Sequence, residues 1–358
     1  MRAMQRVAAT WRALTLGSLF TLVACGGANR ANEIPGPEDL PPLPTATASA
    51  SSGASPATPT ADSGATECGG FESRPMAAKD ESLLSDRLEI RPFDGLVNNA
   101  RPTSIMAAAP AEDAETRLYF EENGKQFVVY VEEMFARPGA DLAREVEKSD
   151  PYAKDATVED KTVAGIREIR LTPKTLRADH EKALALRLYA VAKDGLLVRV
   201  SFFVSPEVMP TGAGCTNLAK KLADTITLGK RAIVLDARRV TLDAGRAMDL
   251  PKDFGFYPQP GADFVVYHVF PVTTLDGPEA GFHIYFGNHP QKPAGTANLT
   301  LPLLGKSTPF IDVKDGDHHS REGITQIAGS PGLFMHVFFG ASDEGIFTDF
   351  EKITSSIR

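Results

Sequence analysis

The sequence predicts an α+β protein of two domains, each a mainly antiparallel β-sheet packed with one or two helices. Three observations carry this expectation. Asn123-Gly124 and Asp194-Gly195 each separate two apolar, alternating runs, the strongest short-range hairpin signal. Both halves of the chain end in an apolar strand followed by an amphipathic helix. About 290 residues remain after a low-complexity amino-terminal stretch, enough for two ordinary domains.

The chain opens with basic residues Arg2, Arg6 and Arg12, an apolar run from Ala13 to Leu22, and then Leu22-Val23-Ala24-Cys25. This is the order of a secretion signal, residues 1–24. The apolar run is shorter than the ~20 residues a permanent spanning helix needs. Leu22-Val23-Ala24-Cys25 resembles the lipobox of bacterial lipoproteins, a likeness confined to the first 25 or so residues. The resemblance implies cleavage before Cys25, acylation of that cysteine (palmitate included) and anchoring to a membrane by lipid. Gly26 stands where the family's inner-membrane retention signal carries Asp, which implies the outer membrane. The alternative is an ordinary signal peptide with an incidental cysteine.

Removal of residues 1–24 leaves 35 basic against 46 acidic residues, a net charge of about −11. That balance argues against nucleic acid and against electrostatic adhesion to anionic headgroups. With Cys25 set aside, Cys68 and Cys215 remain; an even pair in an oxidising compartment reads as a disulfide, while the alternative makes Cys215 a small buried residue.

Residues 25–66 read as the lipidated cysteine and a Pro/Ala/Ser/Thr tether with too few large apolar residues to offset the entropy of ordering. The first domain is expected over 67–232 and the second over 233–358, with the basic cluster Lys230, Arg231, Arg238 and Arg239 near the boundary. In the first, the Asn123-Gly124 turn pairs Phe120 with Phe127 and Leu118 with Val129. The Asp194-Gly195 turn is expected to pair Val191 with Val198 and Tyr189 with Val200. Ile166–Leu171 reads as a further strand, Asp141–Lys148 as a short helix, and Asn217–Leu228 as a helix with Leu218, Leu222 and Ile226 on one face.

The second domain is expected to carry strands at Phe264–Phe270, Phe282–Phe286, Phe310–Val313 and Leu333–Phe339. A helix from Asp343 follows, capped by Ser342, with Ile346, Phe350, Ile353 and Ile357 as its apolar stripe. Gly-x-x-Phe-Val-Val-Tyr occurs at 124–130 and again at 261–267, and Val198-Arg199-Val200 and Met335-His336-Val337 share the same spacing of 137, compatible with duplication or with chance recurrence of β-rich strings. The layout of an antiparallel sheet with a helix after its last strand resembles the PsbP-like fold over residues 80–229 and more loosely over 240–358. This resemblance implies a binding or assembly role.

No Gly-x-Ser-x-Gly elbow, His-Glu-x-x-His helix, phosphate-binding glycine loop or Cys-x-x-Cys pair is present. Six of seven histidines follow residue 260. His268 and His283 fall on two strands joined by a loop containing Asp276-Gly277, and if residues summing to 551 or 553 are paired, both imidazoles share one face. With His336 they would suit zinc with one open position, against the bland reading of hydrogen-bonded sheet residues. Asp312, Asp315, Asp317, His318 and His319 fail the calcium-loop pattern and read as a solvated turn. Residues 250–258 read as an ordered aromatic loop that either lids the sheet or docks a partner. The function expected is a non-catalytic cell-envelope lipoprotein that binds or assembles a protein partner without a cofactor. The alternative is a zinc-binding protein or metal-dependent hydrolase using His268, His283 and His336.

Overall fold

A computed structural model of the chain describes residues 68–98, 114–176, 178–179 and 182–358, all within one compact unit, Ala65–Arg358. The expected signal 1–24, Cys25 and the tether 25–66 lie outside the described residues. No helix among the described residues is long and apolar enough to cross a membrane.

The architecture is mainly β. Seven strands form the main path of the first sheet: β1 (Val97–Asn98), β2 (Glu115–Glu122), β3 (Lys125–Glu133), β4 (Ala156–Val163), β5 (Ile166–Pro173), β6 (Lys182–Val191) and β7 (Leu197–Val204). The second sheet comprises β8 (Phe254–Pro260), β9 (Phe264–Pro271), β10 (Ala280–Gly287), β11 (Leu299–Leu303), β12 (Lys306–Asp315), β13 (His318–Gln326) and β14 (Phe334–Ala341). Their spatial orders are β1-β2-β3-β7-β6-β5-β4 and β8-β9-β10-β14-β13-β12-β11. Both sheets follow one path: three strands laid down in succession, the last strand of the half beside the third, and the rest filling outward. The 137-residue repeat matches this path only in part. Val198–Val200 and Met335–Val337 both lie on a seventh strand, whereas 124–130 runs into the third strand and 261–267 into the second.

The α+β expectation is thus overturned. The described residues hold only three α-helices: α1 (Leu142–Ser149), α2 (Gly212–Ala223) and α3 (Glu344–Ser356). The strands of the two sheets missing from the expectation are β1, β4, β8, β11 and β13. Their sequences, such as Ala156-Thr-Val-Glu-Asp-Lys-Thr-Val163 and His318-His-Ser-Arg-Glu-Gly-Ile-Thr-Gln326, lack continuous apolar alternation. Four of the five are edge strands, which satisfy one row of backbone groups in water and so need less apolar surface.

Turn chemistry sets the registers. Asn123 (φ 53°) and Gly124 (φ 76°) both adopt left-handed conformations, and Phe120 pairs with Phe127 and Leu118 with Val129 as expected. The second hairpin differs by one residue: Ala190 pairs with Val198 and Leu188 with Val200. Its loop holds three residues, Lys193 to Gly195 (φ 78°), closed by the Ala192 amide donating to the Leu196 carbonyl, while the Asp194 carboxylate accepts from the Leu196 amide at 3.1 Å. A slip of one residue exchanges the two faces. Tyr189 therefore pairs with Arg199, away from the core that holds Val198 and Val200.

Phe127, Val129, Val200, Phe202, Leu186 and Leu188 pack with Leu218 and Leu222 of α2 and with Ile226, which lies past the end of that helix. In the second sheet, Val269, Phe282, Ile284, Val337 and Phe339 pack with Phe347, Phe350 and Ile353 of α3, and with Ile357 at its C-cap. Asp343, not Ser342, caps α3, its side chain accepting from the Ile346 amide at 2.9 Å. Residues 250–258, expected as a loop, run into the edge strand β8, and Phe254 is buried.

The two sheets meet at Phe135. Its ring stacks against Tyr257 (centroids 5.9 Å apart) and Phe270 (6.0 Å), and a methyl group on Gly255 would overlap it. Beside it, Ala136 and Arg137 pair in parallel with Thr273 and Thr274, and Arg137 bonds to Asp253 at 2.6 Å. A buried guanidinium ties down the linker between the sheets. Arg87 pairs with Glu133 and, at 2.7 Å, with Asp194; the other Asp194 oxygen accepts from the Ile233 amide.

Cys68 and Cys215 form a disulfide with α-carbons 4.7 Å apart and a sequence separation of 147. By the chain-entropy relation, closing a loop of that length stabilises by about 5 kcal/mol. Replacing both cysteines by Ala is expected to lower unfolding free energy by up to about that amount, read in a denaturant titration. Asp194→Ala leaves Arg87 buried with one partner fewer, and a loss of about 3–5 kcal/mol is expected in the same titration.

Candidate functional site

Helix α3 covers one face of the second sheet, and strand alternation sends every other side chain to the opposite face. No helix among the described residues packs on that opposite face. Phe264, Val266, Tyr285, Phe334, Phe338 and Ile324 lie there half-buried, and Phe135 covers the corner formed by Tyr257 and Phe270. The register lays the face out in rows. Tyr257, His268, His283, Phe338 and Glu322 form one row across five strands. Gly281, Gly340 and Ser320 form the next.

His268 and His283 are direct cross-strand partners, the 551 pairing, and their Nδ1 atoms lie 2.9 Å apart. The Oε1 of Gln259 sits 2.9 Å from Nε2 of His268. A carbonyl oxygen only accepts, so with the Gln259 amide in this orientation His268 carries its proton on Nε2 and leaves Nδ1 bare. With both rings neutral, His283 must donate Nδ1–H to that bare nitrogen, and its own Nε2 holds a lone pair. Burial pushes the His283 pKa down to about 4; burial, then the neighbouring His283, drives that of His268 well below its usual value. Rings flank the pair: Tyr257 stacks on His268 with centroids 4.7 Å apart, and Phe338 on His283 at 4.9 Å.

His336 shares this face but lies one row away, paired with Tyr285 and Ile324. Its Nε2 bonds to Glu322 Oε1 at 2.8 Å, and its ring packs on Phe338. The structure therefore brings His268 and His283 together and turns His336 toward a carboxylate of its own. Among the described residues, no three His, Cys, Asp or Glu side chains converge as a metal ion requires.

The acidic, histidine-bearing segment 312–319 is divided between the two faces. His319 lies on the helix side, stacked on Phe347 with centroids 3.7 Å apart and bonded through Nε2 to Asp312 at 2.8 Å. Arg321 joins Asp312 and Glu351 there. Burial works against the Asp312 charge, yet hydrogen bonds from Arg321 and His319 hold its pKa below the ordinary carboxylate value. His318 lies on the helix-free face, over Gly340. The turn itself, Gly316 (φ 61°) between Asp315 and His318, is exposed on its acidic side.

The first sheet has a polar counterpart on the side away from α2. Asp150 accepts from Arg187 at 2.9 Å and from the Tyr189 hydroxyl at 2.7 Å; Arg187 also bonds to Ser201, and Arg199 to Glu132 at 2.6 Å. Each charge is thereby paired, as buried ions must be, although one Arg199 terminal nitrogen is left without a hydrogen-bond partner.

Gln259, Gly281, Phe338, Gly340 and Glu322 completed the site without any motif to mark them. Only the register could reveal them, because each lies on the face through its partner in the adjoining strand.

No family model matches the chain, and no curated protein matches it. Solved structures that align with it include two MucB complexes. MucB in complex with the periplasmic part of MucA aligns over 68% of this chain and 87% of that one, at 15% identity and a TM-score of 0.18. The MucA/MucB complex of Pseudomonas aeruginosa aligns over 76% and 87%, at 16% identity and a TM-score of 0.17. At such TM-scores the alignments carry no argument about fold or role.

The depressed histidine pKa values set a pH dependence. The unfolded rings take up protons near 6.5 whereas folded His283 resists them to about 4 and folded His268 has its pKa pushed well below the ordinary value, so the unfolded state binds more protons in that range. Their contribution to stability is complete above pH 6.5 and is lost as pH falls toward 4. In chelator-containing buffer, unfolding free energy is expected to fall more steeply over that window in the wild type than in a His268→Gln/His283→Gln variant. Equal slopes would count against neutral burial of the pair.

Proposed function

We propose that the chain is a non-catalytic cell-envelope lipoprotein, anchored through lipid on Cys25 to the outer membrane, that offers the helix-free face of its second sheet to a protein partner. One observation carries this reading: that face presents half-buried aromatic and aliphatic side chains where a domain ordinarily packs a second layer. Phenylalanine and tyrosine are among the residues enriched at protein interfaces, and their rings lose little rotamer freedom on docking.

The sheet edges support a face over an edge as the contact. β8 carries Pro258 and Pro260, β11 carries Pro302, β4 carries Glu159, Asp160 and Lys161, and β1 has two residues. Proline and charge are the devices that stop an edge from accepting another strand. The aromatic face remains as an apolar surface for recognition.

A photo-crosslinking side chain placed at Phe338 or Ile324 tests this in living cells. One discrete envelope protein is expected in adducts from both sites and in none from Asp349 on α3. A Tyr285→Ala/Phe338→Ala double variant should weaken capture of that protein at least tenfold, about 1.4 kcal/mol. Adducts that are absent, or the same from Asp349 as from Phe338, would remove the face from consideration.

A further inference from the structure

The row of small residues beside the histidine pair is a notch. Gly281 and Gly340 are cross-strand partners near one end of β10 and β14 on the helix-free face, and neither projects a side chain into it. A methyl group added at Gly281 would lie 3.0 Å from His283 Nε2, and one at Gly340 would lie 2.6 Å from His318 Nε2. Cross-strand Cβ positions are about 4.5–5.5 Å apart. The two imidazole nitrogens thus overlie adjacent positions of the sheet, above a floor that only glycine leaves open. Phe270 borders the notch at 3.8 Å from the Gly281 position, and Ser320, the partner of Gly340, closes its far side.

We propose that this notch binds an imidazole-seeking divalent transition metal through Nε2 of His283 and Nε2 of His318, with water in the remaining positions. The hydrogen-bond chain described above supplies what a ligating histidine needs. Gln259 fixes the His268 tautomer, His268 accepts Nδ1–H from His283, and the lone pair of His283 is left on Nε2, the nitrogen nearest the notch. A ligating histidine almost always donates its second ring N–H to a fixed acceptor, which sets its orientation and raises its basicity. Metal–imidazole bonds of about 2.0–2.1 Å require the two nitrogens to come within about 4 Å of each other. His318 leads out of the hairpin turn at Gly316. The site differs from the His268, His283 and His336 triad expected from the sequence, since His268 supports the ligand and His336 is engaged by Glu322. It does not depend on the face being a partner interface.

Copper(II) is the probe, because it has the highest affinity of the first-row divalent ions for nitrogen sites. The full chain, purified in detergent, is titrated with Cu(II) and followed by electron paramagnetic resonance and by competition with a chelator of known affinity. One ion per chain is expected at this site, with hyperfine structure from two imidazole nitrogens. His318→Ala should remove one nitrogen from the spectrum. His268→Leu should weaken binding by about 10- to 100-fold through loss of the supporting acceptor. Gly281→Ala keeps both imidazoles and fills the notch, and should abolish the two-nitrogen signal while circular dichroism stays that of the wild type. His336→Ala and His289→Ala should leave the signal unchanged. A two-nitrogen spectrum that survives both His318→Ala and Gly281→Ala, or no stoichiometric copper at all, overturns the assignment.

Discussion

Both sheets depend on a pairing made late in the chain: the last strand of each half must lie beside the third. β7 meets β3 about seventy residues after it, and β14 meets β10 about fifty residues after it. Until that contact forms, each half is two separate groups of strands with open edges and no continuous apolar face for its helix. Once it forms, Phe127, Val129, Val200 and Phe202 become one surface in the first half, and Phe282, Ile284, Val337 and Phe339 one surface in the second. α2 and α3 follow directly in sequence, so the helix reaches its sheet just as the sheet is completed. Such non-local pairing carries a loop-closure cost that local hairpins avoid, and it sets a slow step in folding.

The same pairing creates the candidate site. His283 faces Phe338, Gly281 faces Gly340, and Tyr285 faces His336 only because β10 and β14 are neighbours. A shift of one residue between these strands would send the histidines into the core beneath α3 and bring core phenylalanines to the surface. The large apolar cost of that exchange fixes the register, and the register fixes the polar geometry. The aromatic rings around His268 and His283 have the further effect of lowering local polarity, which keeps both imidazoles neutral and makes their mutual hydrogen bond possible.

Much of this was readable from residue pattern. The Asn123-Gly124 hairpin, the positions of β9, β10, β12 and β14, and the stripe of α3 all followed from alternation and turn chemistry. So did the shared face of His268 and His283, because both possible registers had the same parity. The Asp194 turn misled by one position, since Asp-Gly serves both a two-residue loop and a three-residue loop with a bulge, and Leu196 rather than a side-chain pattern decided between them. β4, β8 and β11 were hidden by prolines and charges that suit edge strands, and β13, an inner strand, by its polar sequence. The notch was invisible because a glycine gives no signal of which face it empties. Cys68 and Cys215 were paired by elimination, and the structure joins them.

That bond also determines how the chain transmits force. Cys68 begins the described structure and Cys215 lies within α2, so tension applied ahead of Cys68 passes through sulfur to the helix. The 146 residues between them, all of β1 to β7 included, are bypassed. A pull between the amino-terminal segment and a partner held on the second sheet would stretch first the stretch from Thr216 onward, where Gly229 and Arg231 donate their amides to Arg87 and Asp86. The first sheet would remain folded under loads that peel this linker away, acting as a closed ring threaded on a cord.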